Sequence, residues 1–81
     1  MTIRFFAHLK DLAGQESVSM LLKQDCPISQ IITQLEETIP TLKGFAEGGS
    51  VRIAVNQAFI NNDEIIHPGD EVAFLPPFSG G

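Results

Sequence analysis

The residues best suited to chemistry lie at the end of the sequence, which reads Pro76, Pro77, Phe78, Ser79, Gly80, Gly81. The two prolines stiffen the chain and cannot donate the hydrogen bonds that would continue a strand. Glycine has no Cβ, so Gly80 and Gly81 can pass through a slot too narrow for any other residue. Six extended residues reach roughly 20 Å at most, far enough to place the Gly81 carboxylate deep inside another protein.

The chemistry open to Gly81 is that of a terminal carboxylate. Such a group is ionised at neutral pH and is a poor electrophile, so it needs outside activation, for example adenylation by ATP. A sulfur nucleophile that then displaces AMP would leave a thiocarboxylate, whose soft terminal atom can attack an electrophilic carbon. The alternative interpretation is a frayed end, because chain termini are usually poorly ordered.

The rest of the chain offers few groups for catalysis or metal binding. His8 ends a predicted strand and His67 lies in a predicted turn, so both fit solvated positions better than ligand positions. Cys26 fits a small, partly buried thiol better than a nucleophile of low pKa. Gly48 and Gly49 lack the lysine and hydroxyl residue that follow the glycines of a P-loop. We therefore predict no metal site and no catalytic group apart from the terminal carboxylate.

Length and charge narrow the class of protein. The chain has 81 residues, 43% of them hydrophobic, which predicts a single domain over residues 1–81 with residues 76–81 as an extended tail. Ten acidic against five basic residues give a net charge of −5, which disfavours nucleic acid as a partner. One cysteine, no signal-peptide core and no apolar run of membrane-spanning length lead us to expect a cytoplasmic protein without a membrane partner.

Periodicity predicts the elements that hold the tail. Alternating residues predict strands over 2–7, 16–22, 51–55, 58–60 and 71–75. An apolar stripe every three to four residues predicts one main helix over 27–39, which Pro27 begins and Pro40 ends, after a short helical turn over 8–14. Residues 41–50 are predicted to be a loop.

This order of elements predicts an α+β fold of the β-grasp, or ubiquitin-like, type. Its mixed sheet has the last strand parallel to the first and beside it, with the helix packed on one face. A ferredoxin-like split βαβ fold is the alternative, but it needs a second long helix that the sequence does not offer.

The alternation of side chains along each strand predicts which residues lie on the sheet face away from the helix. Alternation puts Ile3, Phe5 and Ala7 on one face of the first strand. If Ile3, Phe5, Val72 and Phe74 point to the helix, then Phe6 and Leu75 point away from it. With Phe59 and Phe78 close by, these side chains predict an apolar patch for a partner beside the tail. Incidental exposure is the alternative, since scattered apolar residues are normal on protein surfaces.

Three segments carry a resemblance to a known family: 3–7, 54–57, and above all 69–77 running into Ser79-Gly80-Gly81. They read Ile-Arg-Phe-Phe-Ala, Ala-Val-Asn-Gln, and Gly-Asp-Glu-Val-Ala-Phe-Leu-Pro-Pro. Over essentially its whole length the chain resembles the small subunit of molybdopterin synthase, in the MoaD-like branch of ubiquitin-like sulfur carriers. It departs from that pattern with phenylalanine at 59, where leucine is usual, and at 78, where a smaller residue is common.

The resemblance implies a non-catalytic sulfur-donating subunit that binds no cofactor itself. An adenylating enzyme uses ATP to activate Gly81, a sulfurtransferase system supplies sulfur, and the thiocarboxylated tail enters the large synthase subunit, in a heterotetramer. There it donates sulfur to cyclic pyranopterin monophosphate in molybdenum cofactor biosynthesis. The resemblance also implies partner-binding roles for these residues: Phe6, Lys10, Phe59, Leu75, Pro76, Pro77, Phe78 and Ser79.

Three other functions fit the same tail. A sulfur carrier for thiamin thiazole synthesis would use the same chemistry, although such chains are usually shorter and lack the Phe-Leu-Pro-Pro run. A protein modifier would conjugate through Gly81 to lysine side chains. A plain interaction module would not use the tail at all.

Overall fold

The computed structural model describes residues 1–61 and 63–77, so Asn62 and the predicted site residues Phe78, Ser79, Gly80 and Gly81 lie outside the described residues. The helices are α1 (His8–Ala13) and α2 (Ile28–Thr38), with 3-10 helices at Pro40–Leu42 and Glu47–Gly49. The strands are β1 (Thr2–Phe5), β2 (Ser17–Ser19), β3 (Cys26–Pro27), β4 (Arg52–Val55), β5 (Ala58–Ile60), β6 (Ile65–Ile66) and β7 (Glu71–Leu75).

The main sheet has five strands in the order β2-β1-β7-β4-β5. β1 and β7 are parallel, with Ile3 opposite Val72 and Phe5 opposite Phe74, and the other neighbours are antiparallel. A parallel pair needs a long crossover connection, which the chain between β2 and β4 supplies through α2. The predicted β-grasp fold and the parallel pairing of first and last strands are confirmed.

The core lies between α2 and one face of this sheet. Ile28, Ile31 and Leu35 of α2 are buried, as the apolar stripe predicted. They join a cluster with the inward residues of β1 and β7, in which the Phe5 and Phe74 rings stack with centroids 6.0 Å apart. The central strand β7 is therefore fixed by packing up to Phe74, just before the tail begins.

The stretch over 41–50 is more structured than the predicted loop. Leu42, at the end of the first 3-10 helix, is fully buried, and Phe45 packs edge-on against Phe74 with centroids 5.1 Å apart. The prediction of a plain loop is thus wrong, because it followed the three glycines of the stretch and not the spacing of three residues between Leu42 and Phe45. Glu36 of α2 helps to hold the stretch by accepting a hydrogen bond from the Gly44 N–H at 2.9 Å.

Three further details differ from the sequence predictions. Strand β2 ends at Ser19 rather than Leu22, and a second, two-stranded sheet of β3 and β6 was not predicted. Ala7 does not share the core side with Ile3 and Phe5: it is exposed, with φ 54° and ψ −134°, because the chain turns there into α1. Among the described residues, no helix is long and apolar enough to cross a membrane.

Candidate functional site

The side of the main sheet opposite α2 is the candidate functional surface, which we call the open face. Strand alternation and register place on it the residues out of phase with the buried core, which include Arg4, Phe6, Arg52, Ala54, Phe59, Glu71, Ala73 and Leu75. The predicted outward orientation of Phe6 and Leu75 agrees with this register. Phe6 is 39% exposed and Phe59 is 54% exposed.

Small residues form the middle of the open face. Ala73 of β7 lies opposite Ala54 of β4 on one side and Arg4 of β1 on the other, and Ala54 lies opposite Phe59 of β5. The larger side chains therefore stand on either side of two alanines. This arrangement gives a shallow apolar depression that a complementary surface can fill.

Two arginines border this depression, each over an aromatic ring. The Arg52 guanidinium carbon lies 3.9 Å from the centroid of the Phe59 ring, and that of Arg4 lies 5.6 Å from the Phe6 ring. Both distances are within the range of cation–π attraction. Arg4 also pairs with Glu71 at 3.7 Å, whereas the described residues provide no carboxylate within 4.0 Å of Arg52.

The tail leaves the sheet beside Arg52. Leu75, the last residue of β7, is the register partner of Arg52 on β4. Leu75 and Pro76 are half-buried and Pro77 is exposed, so the path of the chain is fixed up to the proline pair. The reactive end predicted for this tail, Gly80 and Gly81, follows within a few residues.

On the β1 side of Leu75, the backbone turns sharply after Phe6. The Phe6 N–H donates to the Phe74 carbonyl at 3.1 Å, which extends the β1–β7 pairing past the end of β1. Leu9 anchors α1 in the core, and Gly14 ends that helix in the left-handed conformation. Lys10 is exposed on α1, only four residues after Phe6.

Titratable groups outside the open face include Cys26, Asp25 and His67. Burial raises the pKa of the Cys26 thiol and the Asp25 carboxylate raises it further, which is opposite to what an activated nucleophile needs. His67 Nδ1 lies 3.0 Å from Asp25, with both side chains mostly exposed. Within the described ranges, no group of three or more His, Cys, Asp or Glu residues could hold a metal ion.

Sequence reasoning found the apolar residues of this face but not its arginines. The parity of β4 already placed Arg52 with Ala54 on one side of the strand. Its contact with Phe59, however, depends on the register of the β4–β5 hairpin, which a two-residue turn sets. Asn56 and Gln57 form that turn with φ 51° and 71°, values that few residues adopt.

A mixed five-stranded sheet, with parallel first and last strands in its centre and one main helix across one face, defines a ubiquitin-like β-grasp protein. The chain belongs to the ThiS family, whose profile matches residues 3–81. The family resemblance drawn from the sequence is thereby confirmed.

Curated relatives include two molybdopterin synthase sulfur carrier subunits. That of Escherichia coli is 32% identical over 98% of this chain and 96% of its own length. That of Dictyostelium discoideum is 34% identical over 98% of this chain and 93% of its own length. Small archaeal modifier protein 3 of Haloferax volcanii is 30% identical over 100% of this chain and 98% of its own length.

Solved structures show the same fold. The crystal structure of SAMP1 from Haloferax volcanii aligns with a TM-score of 0.81 at 27% identity, covering 99% of this chain and 97% of that one. A putative molybdopterin converting factor, subunit 1, from Pyrococcus furiosus aligns with a TM-score of 0.80 at 25% identity, covering 95% of each chain.

Proposed function

We propose that this chain is the sulfur carrier subunit of molybdopterin synthase, with the Gly81 carboxylate as its reactive group. The observation that carries the proposal is the family match, which extends through residue 81 and is joined by several relatives with that name. The geometry supports it, because the central strand β7 leads directly into a narrow tail beside an apolar open face.

The proposed cycle begins when a Gly81 carboxylate oxygen attacks the α-phosphate of ATP in an adenylating enzyme. Pyrophosphate leaves and an acyl adenylate forms. A persulfide of a sulfurtransferase system then attacks the carbonyl carbon and displaces AMP, which leaves an acyl disulfide on Gly81. A second thiol of that system cleaves the S–S bond, so that Gly81 is left as a thiocarboxylate and the two thiols as a disulfide. This chain supplies no catalytic side chain in these steps and binds no cofactor itself: it presents the carboxyl group, and its partners provide ATP and catalysis.

The proposed acceptor of the loaded tail is the large subunit of molybdopterin synthase. The open face supports this part, because Phe6, Phe59 and Leu75 offer apolar area next to the root of the tail. Docking there would leave Pro76 and Pro77 to direct the remaining residues into a narrow channel. The sulfur would then pass to cyclic pyranopterin monophosphate in the large subunit.

Intact-protein mass spectrometry tests the proposed function directly. The chain is co-expressed with its adenylating enzyme and sulfurtransferase in cells able to make the cofactor. We expect a species in which one oxygen is replaced by sulfur, located by fragmentation to Gly81. A matched sample from cells without the adenylating enzyme should show only the unmodified mass. Absence of the sulfur-containing species from the first sample would contradict the proposal.

A protein modifier is the second candidate, favoured by the similarity to small archaeal modifier protein 3. It predicts covalent adducts between Gly81 and lysine side chains of other proteins, which disappear when Gly81 is deleted. The thiamin-type sulfur carrier is separated by a different experiment. Purified loaded chain should transfer sulfur to the large molybdopterin synthase subunit and not to a thiazole synthase.

A further inference from the structure

We propose that Arg52 binds a carboxylate of the large subunit and so fixes that subunit on the open face beside the root of the tail. This inference rests on the proposed function and names a recognition residue for it. The residues that the family resemblance suggested for docking are apolar, apart from Lys10 and Ser79. Arg52 adds a charged contact of defined position.

The first argument is geometric. The Arg52 guanidinium lies 3.9 Å from the Phe59 ring centroid, on a strand of the sheet rather than on a loop. Stacking on a ring restricts the long side chain before any partner arrives, which lowers the entropy lost on binding. An arginine offers five N–H donors in a planar fork that matches a carboxylate. The stacked guanidinium is therefore preorganised to donate hydrogen bonds to a carboxylate of the partner.

The second argument is the availability of the charge. Arg4, the other arginine of the open face, pairs with Glu71 at 3.7 Å. Arg52 has no carboxylate within 4.0 Å among residues 1–61 and 63–77. A partner that covers the open face would remove water from a cation that has no counter-charge among the described residues, which is costly unless the partner supplies one. The energetics of docking therefore call for an acidic group opposite Arg52.

The third argument is the contrast between this face and the rest of the surface. The chain has ten acidic residues, and strand register places one of them, Glu71, on the open face. The same face holds two of the five basic residues, Arg4 and Arg52. A partner approaching an otherwise acidic protein is thus guided to the one sheet face where positive charge prevails. Contacts of this kind set orientation and association rate more than they set affinity.

The position of Arg52 explains why orientation matters here. Its register partner is Leu75, the last strand residue, and only six residues follow to Gly81. The six residues of the tail reach roughly 20 Å at most. A rotation of the partner about the open face would therefore move the entrance of its channel out of reach of the tail. A charge pair next to the tail root prevents this rotation and keeps the channel entrance close to the tail.

The experiment measures binding to the purified large subunit by calorimetry at low and high salt. The variants are R52K, R52M and R52E. The matched control is K43E, which changes the net charge by the same amount as R52E. Lys43 follows the 3-10 helix Pro40–Leu42, which packs on α2. We expect about threefold weaker binding for R52K, about tenfold for R52M and about a hundredfold for R52E, with K43E near wild type. The salt dependence of wild-type binding should diminish in R52M.

A second step identifies the partner's carboxylate. Each acidic residue of the large subunit at the interface is changed to arginine and paired with R52E. We expect one such pair to recover most of the affinity, with a coupling of about tenfold or more.

The outcomes separate this inference from the proposed function. If wild type binds the large subunit but the Arg52 variants bind as tightly, the inference is overturned and the proposed function stands. Equal losses in R52E and K43E would also overturn it, since net charge alone would explain them. The same variants are also titrated against the adenylating enzyme, and a loss of binding confined to that enzyme would overturn the inference and assign Arg52 to that partner. No binding of wild type would overturn both proposals.

Discussion

Ala7 shows how the open face is joined to α1 at the level of one residue. Its φ of 54° and ψ of −134° lie in a region that glycine occupies readily and that residues with a Cβ rarely adopt. The residue before it, Phe6, belongs to the open face, and the residue after it begins α1. The strained turn therefore takes the chain from the end of β1 at Phe5 to the start of α1 at His8 over two residues.

Replacing Ala7 by glycine should stabilise the protein. The change A7G relieves the unfavourable backbone angles, which outweighs the extra entropy of the unfolded chain, so we expect a gain of about 0.5–1 kcal/mol in the free energy of unfolding. Urea denaturation measures it. The control is A13G in α1, where glycine should cost about 1 kcal/mol. Equal destabilisation by both changes would contradict the strain.

Asp70 provides a prediction about pH. The His67 backbone N–H, at 2.8 Å, and the Asn56 side-chain amide, at 3.0 Å, donate to its carboxylate and lower the pKa of Asp70 below the ordinary 3.8. Because the folded pKa is the lower one, the stabilisation is present above 3.8 and is lost as the pH falls through the folded value. Wild type should therefore exceed D70N in stability at neutral pH, with the difference shrinking in acid. Chemical denaturation of both proteins from pH 7 to pH 2 measures this difference. A difference in the free energy of unfolding that does not change with pH would show that the assignment is wrong.

Among the elements, α2 depends on a distant residue for its start. Pro27 occupies the N-cap position and provides no side-chain cap. Instead the Asp63 carboxylate accepts hydrogen bonds from the Ser29 N–H at 2.8 Å and the Ser29 hydroxyl at 2.7 Å. The Glu64 carbonyl accepts the Ile28 N–H at 2.9 Å. The segment after β5 thus caps the helix and ties it to the β3–β6 sheet.

Removing this cap should destabilise the fold. We expect D63A to lower the free energy of unfolding by about 1 kcal/mol, since two donors at the positive end of the helix lose an anionic partner. The control is E64A, which keeps the backbone carbonyl that Ile28 uses and should change stability by less than about 0.5 kcal/mol. Thermal unfolding followed by circular dichroism compares them. Similar effects in both variants would show that Asp63 is not a cap.

The sequence predicted those elements whose pattern is long enough to show a period. Strand β7 and helix α2 both have one, and prolines mark their ends. The two-residue strands β3 and β6 are too short to show alternation. The capping contact of Asp63 with Ser29 spans 34 residues, so local patterns cannot show it. For the candidate site, parity was sufficient for Phe6 and Leu75, but the stacking of Arg52 required the strand register.

At the scale of the whole molecule, stability and proposed reactivity belong to different parts of the chain. The described core residues run from Ile3 to Phe74 and lie between α2 and the sheet. The tail begins after Leu75, which is the end of the central strand. The fold can therefore act as a support for the tail, since the buried cluster of the described residues ends at Phe74, before the tail begins.

Extending the chain by one alanine after Gly81 tests this division. The added residue moves the carboxylate from the position at which an adenylating enzyme would meet it, so we expect sulfur loading and molybdopterin formation to be abolished. The thermal midpoint should stay almost unchanged, because the described core ends at Phe74. The control is one alanine inserted between Gly48 and Gly49, an exposed turn, which lengthens the chain equally but should retain loading. A large fall in the midpoint of the extended variant would show that the tail is structural. Continued molybdopterin formation would show that the group at the end of Gly81 is not the sulfur donor.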